Sequence, residues 1–173
     1  MRFDDHYARA VRTKNLRSRP ETLRSSADIV GAAGLAAQKQ ALAMALLRFF
    51  TGDNRESKEI VAIMADMAWG KAHSEKVKLY RTQAESMAQT VFDWMRDPAC
   101  RTCKGLQFKL MESKPVLSTH RCPKCKGSGK RPLESLFALE RRLIARWLLA
   151  TLEQELAKAG PAAMAKLAPR LEL

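Results

Sequence analysis

The chain of 173 residues contains four cysteines, Cys100, Cys103, Cys122 and Cys125, which form two C-x2-C pairs with 18 residues between the inner two. Each C-x2-C turn sets two thiolates on one side of a tight knuckle, and two knuckles close a tetrahedron around a single Zn²⁺. A four-thiolate set leaves no coordination position for water or substrate, so the chemistry expected is structural and not catalytic. Gly105 and Gly127 each follow their pair by two residues, where glycine permits the positive backbone angle that turns amides toward sulfur. His120 is an alternative donor, but four thiols already suffice. A thioredoxin-type redox pair needs a βαβ context that the pattern lacks.

Charge concentrates on the same stretch. The formal net charge is +13. Residues 96–131 hold ten Lys or Arg against Asp97 and Glu112, a surplus of +8, whereas residues 27–95 balance eight against eight. Residues 1–26 carry +4 and residues 132–173 carry +1. Part of the module's excess offsets the roughly −2 charge of a four-thiolate zinc site. The remainder predicts a polyanionic partner, most often nucleic acid, with Arg101, Lys104, Arg121, Lys124, Lys126, Lys130 and Arg131 around the ligands to engage phosphates.

No enzyme is expected. His6, His73 and His120 are scattered, and H-E-x-x-H, G-x-S-x-G and P-loop patterns are all missing. Neither a catalytic residue nor a small-molecule substrate is therefore expected. The opening residues, MRFDDHYARAVR, are too charged for a secretory signal. The apolar run Ile29–Phe50 is interrupted by Gln38, Lys39 and Gln40, and a charge at mid-bilayer costs at least about 2.5–3.5 kcal/mol. No membrane span is expected, and the compartment expected is a reducing cytoplasm.

These residues need a scaffold, and the pattern around them is mainly α. Residues 1–26, rich in Arg and Ser, read as a basic flexible arm. Residues 27–97 read as an antiparallel helical body of about three helices. The first runs from Asp28 to Phe50 and ends at the turn Thr51–Asn54, with Gly31, Ala33, Gly34 and Ala37 allowing close backbone approach. The second covers Ser57–Ala72. The third starts near an N-cap at Ser74, follows the stripe Val77, Tyr80, Ala84, Met87, Val91 and Trp94, and stops at Asp97-Pro98. Residues 98–131 are the inserted zinc module, with a short β-ribbon from Leu106–Leu110 and Val116–His120. Residues 132–173 read as C-terminal helices packing on the body. Pro132 opens a long helix with Leu136, Leu143, Ile144, Leu148 and Leu152 on its buried face, and Gly160-Pro161 ends it.

Three features together resemble the late-gene antitermination proteins of lambdoid phages, the Q type. The first is the repeated C-x-x-C-x-G-x-G motif, present as Cys100, Cys103, Gly105 and as Cys122, Cys125, Gly127, Gly129. The second is the small-residue helix Asp28–Ala36 followed by Met44-Ala45, and the third is the order arm, helices, zinc module, helical C-terminus. The first motif departs from the family pattern at Gln107, which replaces its second glycine and predicts a looser turn. The unbroken long helix after Pro132 also departs from the proline-broken helix pair of the family.

The resemblance implies a DNA-binding factor, in a bacterial host cytoplasm, that recognises an element in the late-promoter region. It implies contacts with host RNA polymerase, through the sigma factor and the β flap, that load the factor on a paused complex and suppress pausing and termination. It adds Arg141 and Arg142, at the start of the last helix, to the candidate DNA contacts. Two other readings compete. One is a DNA- or RNA-binding zinc adaptor without polymerase contact. The other is a chaperone-type zinc module, because C-P-K-C-K-G-S-G matches the Hsp40 cysteine-rich repeat.

Overall fold

A computed structural model describes residues 7, 9–10, 26–38, 40–110 and 117–167. Among these, five α-helices occur: α1 Ser26–Ala37, α2 Ala41–Phe50, α3 Ser57–Ser74, α4 Arg81–Arg96 and α5 Arg142–Leu167. Between α4 and α5 come the antiparallel strands β1 Phe108–Leu110 and β2 Leu117–Arg121, then 3₁₀ turns at Leu133–Leu136 and Leu139–Arg141. The chain divides into two units, residues 1–63 with 149–173, and residues 64–148. No helix among the described residues is long and apolar enough to cross a membrane.

The first unit is built on small side chains. Ala32, Ala33 and Ala36 of α1 are buried with Ala43, Met44 and Leu47 of α2 and with Ala159 and Ala163 of α5. Alanine lets helix backbones approach closely while still removing apolar surface from water. Gly34, expected to serve that close approach, is exposed, and a Cβ there would meet nothing within 4 Å. Most of the N-terminal arm lies outside the described residues, but Tyr7 and Ala10 are buried in this same core.

Asp28–Phe50 forms two helices, not one. The backbone leaves helical geometry at Gln40 (φ −132°, ψ 53°), while Gln40 N–H still donates to Ala36 O at 2.9 Å and Met44 N–H to Gln40 O at 3.0 Å. Residues 27–97 thus hold four helices. The turn after α2 falls where expected. Thr51 Oγ1 donates to Leu47 O (3.0 Å) and Arg48 O (2.9 Å), and Gly52 takes φ 106°. Ser74 does not cap a new helix. It closes α3, its Oγ donating to Lys71 O at 2.8 Å, and α4 starts only at Arg81.

In the second unit α4 buries Ala84, Met87, Ala88, Val91, Phe92 and Trp94, the three-and-four spacing of one helix face. That face ties the module down. Trp94 Nε1 donates to Arg131 O at 2.9 Å, Arg131 N–H donates to Pro98 O at 2.7 Å, and Arg131 Nη2 reaches Asp97 O at 3.0 Å.

The helix expected from Pro132 is displaced by ten residues. Ser135 Oγ donates to Pro132 O at 2.7 Å, and Phe137 and Ala138 are extended. Arg142 Nε then bonds Phe137 O at 3.2 Å. These local bonds favour tight turns over a helix, as serine and arginine side chains near free carbonyls often do. Leu136 and Leu143 are exposed, whereas Ile144, Leu148 and Leu152 are buried as expected. Nor does Pro161 end α5, which continues to Leu167. The proline ring is exposed while Ala159 and Ala163 flank it in the core, so packing on both sides offsets the lost backbone hydrogen bond.

Candidate metal centre

The two C-x2-C turns lie at the same end of the β1–β2 ribbon, where Phe108 pairs with Arg121, and their sulfurs converge. All four cysteines are buried, and their Sγ atoms lie within 4.8 Å of one another. Cys100 and Cys122 sulfurs are 4.0 Å apart, and those of Cys103 and Cys125 3.7 Å apart. A disulfide requires about 2.05 Å, so these are four separate thiols. A tetrahedron with metal–sulfur bonds of about 2.3 Å has edges of about 3.8 Å, close to these two distances. The donor set thus suits one metal ion, with every position filled by protein.

The two knuckles are the same structure made twice. Cys100 N–H donates to Gly129 O, and Cys122 N–H donates to Gln107 O, both at 2.8 Å. Leu106 N–H donates to Cys103 O, and Ser128 N–H to Cys125 O, both at 2.9 Å. Ala99 bridges Lys130, and Arg121 pairs with Phe108. Each contact becomes its counterpart on shifting by 22 residues, the separation of Cys100 from Cys122 and of Cys103 from Cys125. Contacts that exchange in this way are the mark of an approximate two-fold axis.

Backbone angles follow the same repeat. Lys104, Gly105 and Gln107 have φ of 49°, 85° and 68°, against 52°, 85° and 75° for Lys126, Gly127 and Gly129. Gln107 therefore does not loosen the first turn; it adopts the left-handed angle that its glycine counterpart takes, at about 1–2 kcal/mol for an L-residue. At Gly129 no other residue fits, because a Cβ would lie 2.8 Å from the backbone oxygen of Gly105.

The thiols are unequal before any metal is considered. Amides of Cys103 and Thr102 face Cys100 and, against its burial, pull that thiol down. Burial pushes Cys103 up to about 11 despite the amide of Gln107. Burial also acts to raise Cys125, but the amides of Gly129 and Gly127 outweigh it and hold the thiol at about 6. Amides returned by the glycine turns thus prepare part of the negative charge that a bound dication completes. His120 is exposed and outside this cluster.

The basic residues predicted to meet phosphate separate into two sets. Arg121, Lys124, Lys126 and Lys130 are exposed on the module. Arg131 is held by Asp97 O, and half-buried Arg142 by Phe137 O. Arg141 is half-buried at the edge of a 240 Å³ groove lined by Thr82, Ser86, Thr90 and Phe137. Lys104, part of the basic cluster read from the sequence, is exposed at the position equivalent to Lys126. No family model, curated protein or solved structure matches the chain.

Proposed function

We propose that this chain is a DNA-binding transcription antitermination factor of the lambdoid phage late-gene kind. One structural Zn²⁺ held by Cys100, Cys103, Cys122 and Cys125 orders its basic module. The observation that carries the reading is the duplicated thiol knuckle surrounded by Arg121, Lys124, Lys126 and Lys130, exposed cations that make no ion pair among the described residues. Such cations beside a rigid metal turn suit the phosphates of promoter DNA. Arg131 and Arg142 act in this scheme by fixing the module and the turn before α5, through the carbonyls of Asp97 and Phe137, while Arg141 stays a candidate for phosphate. Host RNA polymerase, through its sigma factor and β flap, is the second partner. Exposed Leu136, Leu139 and Leu143, just after the module, offer apolar surface for such a protein contact.

The test is terminator read-through by host RNA polymerase on the cognate late-promoter template. Wild-type protein is expected to raise read-through, and Lys124→Ala with Lys126→Ala to reduce it while flattening the salt dependence of DNA binding by about 0.9 per lost phosphate contact. Read-through at the level without protein refutes the reading. DNA binding without recovery of a polymerase complex favours the adaptor alternative.

A further inference from the structure

Two of the largest aromatic rings of the second unit face solvent instead of the core. Trp69 on α3 is 46% exposed and Tyr80, just before α4, is 56% exposed, whereas Phe92 and Trp94 are buried. Cations adjoin both rings. The Arg81 guanidinium lies 6.0 Å from the Trp69 ring centre, and Lys78 Nζ lies 5.3 Å from that of Tyr80. His73, one helical turn from Trp69, stacks against it with centroids 6.2 Å apart and planes 22° from parallel.

The neighbouring carboxylates are already engaged. Asp66 pairs with Arg81, Glu85 lies 3.9 Å from Arg81 Nε, and Glu75 bonds Lys71 at 2.6 Å. Exposed Lys76 and Lys78 have no acidic partner among the described residues. Arg81 follows Tyr80 in sequence and lies over Trp69, its charge met by Asp66, so Lys76 and Lys78 are the cations left for phosphate.

Aromatic faces with interleaved cations match a ligand that alternates flat bases with phosphates. Stacking of this kind requires base faces that a duplex hides, so the matching polymer is single-stranded. Exposed Lys76 and Lys78, with no acidic partner among the described residues, favour a polyanion over an uncharged protein surface. We propose that the α3–α4 corner, through Trp69, Tyr80, Lys76, Lys78 and Arg81, is a binding surface for single-stranded nucleic acid. It is distinct from the metal module and independent of the antitermination reading.

The experiment is fluorescence anisotropy of the full zinc-loaded chain with labelled 15-mers of oligo(U) and oligo(dT), and with a duplex of equal length. Trp69→Ala and Tyr80→Ala should each weaken single-strand binding roughly tenfold and leave duplex affinity within twofold. Trp69→Phe and Tyr80→Phe, which keep a ring, should retain most of the binding. A preference for oligo(U) or for oligo(dT) identifies the polymer, and either upholds the surface. The proposal is overturned if neither single strand binds, if the double alanine variant binds them as wild type does, or if the phenylalanine variants lose as much as the alanine variants. Wild-type protein that binds the single strands but gives no read-through above the level without protein would refute the antitermination reading alone.

Discussion

The alanine-rich core of the first unit and the cysteine module of the second reach order by opposite routes. In the first, Ala32, Ala33, Ala36, Met44 and Ala163 remove apolar surface from water across closely approaching helices. In the module the buried cluster is the four cysteines themselves. The strands between its knuckles are three and five residues long, and a two-stranded ribbon alone is marginal. Apolar burial is spread over many weak contacts, so its loss is graded. A metal centre concentrates the same stabilisation in four bonds, and its loss is total for the segment it organises.

The largest expected effect follows from that contrast. Cys122→Ser should abolish stoichiometric metal binding and unfold the module, since structural zinc contributes about 10–16 kcal/mol in small peptides. The helical signal of α1 and α2 in circular dichroism should largely survive. Collapse of both regions together would erase the distinction between them. Met44→Ala, in contrast, should lower global stability by about 2–5 kcal/mol in denaturant unfolding and leave metal stoichiometry unchanged. Loss of metal in that variant would show the two regions to be one cooperative system.

A finer contrast lies inside the module. Gly129→Ala meets both a left-handed angle and the Gly105 oxygen, and should weaken metal retention against a chelator by more than about 2 kcal/mol. Gln107→Gly relieves the equivalent angle and should strengthen it by about 0.5–1 kcal/mol. Equal effects at the two positions would contradict the two-fold equivalence of the knuckles.

Which parts of this were legible in the sequence has a physical pattern. The four-cysteine cluster was legible because ligand spacing fixes a knuckle irrespective of its surroundings: Cys100, Cys103, Cys122 and Cys125 needed no tertiary information. The β-ribbon followed from the need to join two knuckles. Pro132 and Pro161 misled because each was read by its intrinsic backbone preference, while Ser135 and Arg142 built a local alternative at one and core packing of Ala159 and Ala163 overrode it at the other. The break at Gln40 sits inside a run of good helix formers and carries no local signal. Gln107 was read as a weaker turn, but the hydrogen bond from Cys122 to its carbonyl imposes the glycine angle on it. The exposed ring of Tyr80 was taken for core stripe because periodicity cannot say which end of a face meets water.

The measurement that bears most directly on the metal-ordered module is zinc content of freshly purified wild-type protein, followed by amide exchange with and without a chelator. One equivalent of zinc is expected. Chelation should release the amides of Cys100 and Cys122, which cross between the knuckles, while those of α1 and α2 stay protected. Less than half an equivalent of zinc, or cross-knuckle amides that stay protected after the metal is removed, would contradict it.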